Sequence, residues 1–219
     1  MTIVGTVNKT FLTLMILVGS AYYSWTYISI TNVLAFPSVI VAFIVGIITI
    51  RKKEWAPVTV PIYGVLQGIF LGIISNMFNT MYDGIVITAI SYTLCILFAL
   101  LSVYRLGIIK PSENFKLGVA AATGGIAMLY LVNVAMSFFG SGIPLMDINN
   151  SSMYSIGFSV FVIIIASMNL VVDFDFIEEG AEKGAPKFME WYGAFGLMVT
   201  LVWLYLEILK LLAKMNSRK

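Results

Sequence analysis

The sequence predicts an all-α integral membrane protein, a bundle of seven transmembrane helices. Of its 219 residues, 60% are hydrophobic and only 11% are charged, and the mean hydropathy is +0.97. A soluble domain carries about 25% charged residues, so a chain of this composition is expected to bury its outer faces in lipid. The hydrophobic residues also fall into runs of about 20, the length that crosses a bilayer as a helix.

Seven such runs follow one another along the chain, separated by short polar segments. The predicted spans are 10–28, 32–50, 58–76, 85–103, 117–139, 154–176 and 188–212. Small residues at 19–21 also allow a signal peptide in place of the first span. The apolar, aromatic-rich stretch continues past them, which favours a retained helix. We therefore expect a single transmembrane domain, 1–219.

The first four spans have recognisable limits. Prolines lie near the starts of the second and third, where a helix tolerates them. The second ends at the charged run 51–54, the third at a polar turn containing Asp83 and Gly84, and the fourth at a basic loop, 105–116. Each limit is a change from apolar to polar composition.

The last three spans are bounded in the same way. Gly118, Gly124 and Gly125 give the fifth span positions for close helix packing. A polar loop, 140–152, separates the fifth span from the sixth, and a charged loop, 178–187, separates the sixth from the seventh.

Basic residues occur in alternate loops only, which predicts the orientation. The segments around Lys9, 51–53, 105–116 and 183–187 carry Lys or Arg, and the loops between them carry none. The positive-inside rule then places the amino terminus in the cytoplasm. A complete seventh crossing would put Lys214, Arg218 and Lys219 on the outer side. The loop charges therefore leave open whether the last helix crosses or turns back.

The absence of histidine and the presence of only one cysteine exclude most catalytic chemistry. The chain has no histidine and a single cysteine, Cys95, which excludes His-dependent nucleophiles and the usual zinc and haem ligand sets. We expect no enzyme activity and no cofactor. The chain also has no basic run with interleaved aromatics, so nucleic acid is not an expected partner.

Ionisable side chains inside the predicted membrane helices are concentrated in the last two spans. One face of the sixth span carries Ser155, Ser159, Asn169 and Asp173, and Ala166 keeps that face small between them. An acid at membrane depth costs a few kcal/mol on insertion scales, so it usually has a partner or a function. The alternative is that Asp173 ends the helix among headgroups. Asp175 points elsewhere, nearer the cytoplasmic interface.

The seventh span has a second polar face. Thr200, Glu207 and Lys210 share that face with small residues. By position alone, an i,i+3 pair between Glu207 and Lys210 at the interface is the favoured interpretation. In the fifth span Tyr130 is interpreted as an interhelical hydrogen-bonding residue, and Glu190 is expected in the first turn of the last helix.

The segment from Asn169 through Asp173 and Asp175 to Tyr192 resembles the Bax inhibitor-1/YccA family, also called the transmembrane Bax inhibitor motif family. The segment 51–63, Arg-Lys-Lys-Glu-Trp-Ala-Pro-Val-Thr-Val-Pro-Ile-Tyr, looks like a bacterial branch of it. The resemblance implies a multi-pass protein of the bacterial inner membrane in which six helices surround the last. It also implies a pH-sensitive calcium leak, as in some members, or control of membrane proteolysis or cell death, as in others.

The resemblance also implies site residues. Asp173 matches the sixth-helix acid of the leak members and would contact a passing calcium ion. Glu207, in the run Tyr-Leu-Glu, matches the seventh-helix acid that shares protons with it, whereas an ungapped alignment puts the positions around Thr200 there. Arg51 is nearest in position to the arginine that latches the closed state, although a positive-inside anchor is favoured.

Two functional hypotheses follow for this lipid-embedded chain. The first is a pH-dependent calcium or cation leak, with Asp173 as the titrating group and Asn169, Asp175, Thr200 and Glu207 along the ion path or pH sensor. The second is a non-conducting modulator that binds a membrane protease or another membrane protein. The sequence does not define an oligomeric state.

Overall fold

The computed structural model describes residues 1–140 and 142–217. Within those residues seven helices are long and apolar enough to cross a membrane, which confirms the predicted all-α, seven-span class. They are α1 (Ile3–Thr26), α2 (Ala35–Arg51), α3 (Ala56–Met81), α4 (Ile85–Arg105), α5 (Glu113–Phe138), α6 (Met153–Glu182) and α7 (Met189–Asn216). Short helical turns at Ile28–Thr31, Asn32–Leu34, Lys53–Trp55 and Pro144–Met146 lie between them.

Several helices extend beyond their predicted spans. Helix α1 begins at Ile3, seven residues before the predicted start, because the Thr2 hydroxyl accepts a hydrogen bond from the Gly5 amide and caps the helix. Helix α6 continues to Glu182, well into the predicted charged loop, since alanine and glutamate favour helix. The chain turns beyond it at Gly184, whose φ of 62° is a left-handed conformation that suits glycine.

The last helix is complete and does not turn back. Helix α7 has 28 residues, about 42 Å at the α-helical rise, which exceeds the bilayer core of about 30 Å. Near its end the Lys214 ammonium donates to the Leu145 carbonyl. Leu145 belongs to the loop between α5 and α6, so the end of α7 lies beside that loop. Arg218 and Lys219 lie outside the described residues.

The chain divides into two compact units, each built from discontinuous segments. Unit 1 comprises Met1–Met81 and Asp175–Val199, and unit 2 comprises Tyr82–Phe174 and the chain from Thr200 onward. Both units contain part of α6 and part of α7. Helix α7 is also the most buried span, with 56% of its apolar window inside the protein against 11–44% for the others.

In unit 1, α1 and α3 pack at very short range along three glycines of α3. Gly64, Gly68 and Gly72 are spaced four residues apart and lie on one face. A Cβ atom at Gly68 would collide with the Ser20 hydroxyl and the Leu17 carbonyl of α1, and one at Gly72 would collide with Ser24 and Ala21. Because Gly68 and Gly72 have no side chains, the backbones of α1 and α3 can approach each other closely.

A buried ion pair also joins α1 to the start of α7 within unit 1. Glu190 lies in the first turn of α7, as expected. Its carboxylate is buried and pairs with Lys9 of α1. It also accepts hydrogen bonds from the Thr2 amide at 3.0 Å and the Thr2 hydroxyl at 3.1 Å. The sequence had indicated the position of Glu190 but not these partners.

Candidate ion pathway

The Asp173 carboxylate lies on α6 in unit 2 and faces α7. The Thr200 hydroxyl of α7 donates to Asp173 Oδ2 at 2.6 Å. Asp173 is partly buried and Thr200 is buried. Within the described chain the Asp173 carboxylate has no basic side chain as a partner, although a carboxylate at membrane depth usually has one. Asp173 is therefore an acid whose one recorded partner is a neutral hydroxyl.

Asn169, one turn before Asp173, continues the same polar face toward α5. Its amide nitrogen donates to the Thr123 hydroxyl of α5 at 2.8 Å and to the Ile165 carbonyl at 2.9 Å. Farther along the face, Ser155 and Ser159 are both buried. The polar stripe read from the spacing of residues in α6 thus points into unit 2.

Glu207 forms a separate network with α5. The Tyr130 hydroxyl donates to Glu207 Oε1 at 2.6 Å, and the Lys210 ammonium donates to the same oxygen at 2.9 Å. Lys210 also lies 4.8 Å from the centre of the Tyr130 ring, a distance at which a cation is attracted to the ring face. The predicted pair between Glu207 and Lys210 is present. Because Glu207 is only 2% exposed, the pair lies in the interior of unit 2 and not at an exposed interface.

The expected Asp173–Glu207 acid pair is absent from the described structure. Glu207 follows Thr200 by seven residues, two helical turns or about 10 Å along α7. Because α6 and α7 run antiparallel in unit 2, Thr200 lies beside Asp173 and Lys214 lies beside Ser159. The position that the ungapped alignment assigned to Thr200 is thus the one that faces the sixth-helix acid.

Lys214 is a polar residue that the sequence had indicated only as part of a basic tail. It is 2% exposed. Its ammonium donates to the Leu145 carbonyl at 2.9 Å, the Ser155 carbonyl at 3.3 Å and the Ser159 hydroxyl at 3.0 Å. The signal was available, since Lys214 follows Glu207 by seven residues and so shares its helix face.

The two remaining predicted residues lie in unit 1. Asp175 is partly buried. Arg51 is exposed at the end of α2 and lines a groove with Lys52, Lys53 and the segment before α7. The proposed latch role of Arg51 stays a prediction. Among the described residues no three His, Cys, Asp or Glu side chains are grouped as a metal site.

Comparison with protein-family models matches residues 1–217 to the family described as Bax inhibitor 1 like. The match covers nearly the whole chain, including both units and all seven helices. Searches of curated proteins and of solved structures give no significant match.

Proposed function

Because the chain belongs to the Bax inhibitor 1 like family, we propose that this multi-pass membrane protein is a slow, pH-dependent leak for calcium or another cation. Asp173 is its titrating group. We assign the protein to a bacterial inner membrane because residues 51–63 resemble a bacterial branch of the family. We place the amino terminus in the cytoplasm because the basic residues lie in alternate loops.

The observation that carries the proposal is the environment of Asp173. Its carboxylate lies within a membrane-spanning helix and accepts from the neutral Thr200 hydroxyl. Removing a carboxylate from water costs free energy, so acids inside a membrane bundle are rare. Those that occur usually mark ion or proton pathways. The polar stripe formed by Asn169, Ser159 and Ser155 extends from Asp173 through the same unit.

Glu207 is less suited to the role of sensor. Lys210 already balances its charge and Tyr130 donates to the same oxygen. A carboxylate held by a cation and a hydroxyl is committed to structure, whereas Asp173 has no cation as a partner in the described chain. Asp173 therefore remains available to attract a passing cation.

The sign of the pH dependence follows from charge. An ionised Asp173 attracts a cation and a protonated Asp173 does not, so cation flux is expected to rise from mildly acidic to mildly alkaline pH. A protonation change at one buried group can bias a bundle that has two arrangements, closed and open.

The test is calcium flux into dye-loaded liposomes containing the purified protein, at mildly acidic and mildly alkaline pH. Wild type is expected to show flux that depends on pH, and Asp173→Asn is expected to remove that dependence. Asp83→Asn is the matched control, because Asp83 is exposed in the turn between α3 and α4 and the chemical change is the same.

Wild-type flux no greater than that of empty liposomes, from protein shown to be folded, would overturn the proposal. The non-conducting modulator of a membrane protease would then be the better reading of the chain.

A further inference from the structure

Lys214 has a rare environment for a lysine in a membrane-spanning helix. Its side chain is buried, yet no carboxylate in the described chain contacts its ammonium. Lys214 lies two residues before the end of α7. The nearest acid on the same face of α7 is Glu207, which is already held by Tyr130 and Lys210.

Neutral oxygens take the place of water around this ammonium. The carbonyls of Leu145 and Ser155 and the hydroxyl of Ser159 accept from it at 2.9 to 3.3 Å. The Ser155 hydroxyl donates to the same Leu145 carbonyl at 3.0 Å, which fixes that oxygen against α6. Carbonyl and hydroxyl oxygens arranged in this way replace the hydration shell of a cation in ion-selective pores.

The loop that supplies Leu145 is held in place from both sides. The Asn133 side chain of α5 accepts from the Ile143 amide at 2.7 Å, and the Asn150 amide donates to the Pro144 carbonyl at 2.8 Å. These two hydrogen bonds hold the loop, so the position of the Leu145 carbonyl oxygen does not depend on the Lys214 side chain alone.

These oxygens lie at one end of the polar stripe that begins at Asp173. Ser159 precedes Asp173 by fourteen residues, which is about 21 Å along α6. Between these two residues the same face of α6 also carries Ala166 and Val162, both fully buried. A cation leaving Asp173 would therefore reach the Lys214 oxygens only if the bundle opened along this face.

We propose that the Leu145 and Ser155 carbonyls and the Ser159 hydroxyl form a cation site, filled by the Lys214 ammonium, which closes this end of the stripe to free cations. The cation site stands on the contacts of Lys214 alone. Its role in closing the path rests on the proposed leak function.

The first experiment tests the cation site without reference to conduction. Lys214→Ala removes the ammonium and most of its carbon chain, and propylammonium is the matching free cation. The Tm of Lys214→Ala in detergent is expected to fall, and propylammonium is expected to restore about half of the loss or more, because a ligand that binds only the folded state stabilises it.

The controls separate charge from cavity filling. Uncharged 1-propanol of similar length should not restore Tm, and propylammonium should not raise the Tm of wild type or Lys214→Arg. Lys183→Ala, at an exposed position, should show no response. A Tm of Lys214→Ala that is unchanged by propylammonium, or raised equally by 1-propanol, overturns the cation site. If Lys214→Ala does not fold, the contact between Lys214 and Ser159 is tested with Ser159→Ala. Its Tm loss should be smaller than that expected for Lys214→Ala, and it should disappear in a Lys214→Met background.

The second experiment measures calcium flux in liposomes. Lys214→Ala and Lys214→Met are expected to conduct severalfold faster than wild type, and propylammonium should slow Lys214→Ala again. Wild-type flux that depends on Asp173, together with unchanged flux in Lys214→Met, overturns the closing role while the leak stands. Absence of flux in all variants overturns the proposed function and the closing role together, and the Tm experiment still decides the cation site.

Discussion

At the scale of single residues, the contact between Thr200 and Asp173 gives the first prediction. Thr200→Val keeps the shape of the side chain and removes its hydroxyl, so the Asp173 carboxylate loses its recorded donor. We expect the free energy of unfolding to fall by about 1–3 kcal/mol, the usual effect of leaving a buried polar group unsatisfied. Unfolding by SDS titration in mixed micelles measures it.

Thr200→Ser is the control for that variant, because it retains the hydroxyl and loses only a methyl group. If Thr200→Val and Thr200→Ser proved equally stable, the hydroxyl would not be bound to Asp173 in the membrane protein.

The Tyr130–Glu207 contact gives a second prediction at this scale. Tyr130→Phe removes the donor, and Glu207→Gln replaces the charged acceptor with a weaker, neutral amide oxygen, so their effects on unfolding should not add. A double-mutant cycle is expected to show a coupling of about 1–3 kcal/mol. The cycle of Tyr154→Phe with Glu207→Gln should show none, since Tyr154 is exposed, and additive effects in the first cycle would refute the contact.

Some of these residues could be found in the sequence and some could not. Asp173 and Asn169 were found because residues four apart share a helix face. The partners Thr123, Tyr130 and Thr200 depend on how neighbouring helices are rotated and shifted, which spacing within one helix does not fix. The acid pair considered for Asp173 and Glu207 does not form in the described structure, because Thr200, two turns before Glu207 on α7, lies beside Asp173.

At the scale of helices, the short approach of α1 to α3 makes a specific prediction. Gly68→Ala places a methyl group against the Ser20 hydroxyl and the Leu17 carbonyl, and backbone cannot move aside cheaply. We expect a loss of about 1–3 kcal/mol in the free energy of unfolding, as for other overpacked sites.

Gly118→Ala is the matched control for the glycine prediction. A Cβ atom at Gly118 in α5 meets nothing within 4 Å, and alanine favours helix over glycine by up to about 1 kcal/mol. That variant should be neutral or more stable. Equal behaviour of Gly68→Ala and Gly118→Ala would contradict the close α1–α3 packing.

The existence of the helices was predictable, and their ends were less so. Hydropathy identifies the apolar centre of each span, because a chain in lipid must satisfy its backbone groups by forming helix. It does not identify a polar segment that continues the helix beyond its apolar part, as the last five residues of α6 do from Glu178 to Glu182. Caps such as Thr2 and stops such as Gly184 set those ends.

At the scale of the whole molecule, seven crossings put the end of α7 on the side opposite the α4–α5 loop. In a Cys95→Ser background, Met215→Cys is expected to react with an impermeant thiol reagent in intact cells, and Lys110→Cys only after permeabilisation. Both positions are exposed, and the orientation follows from the basic loops.

Reaction of both cysteines from the same side would contradict the complete seventh helix. Reaction of Lys110→Cys alone would mean that the protein has the reverse orientation.

The measurement that tests the central claim most directly is the pH profile of calcium flux for wild type, Asp173→Asn and Glu207→Gln in the same liposomes. We expect the wild-type calcium flux to rise with pH and the flux of Asp173→Asn to be the same at every pH. In Glu207→Gln the flux should still depend on pH. A profile for Asp173→Asn that stays parallel to that of wild type would show that Asp173 does not couple pH to flux.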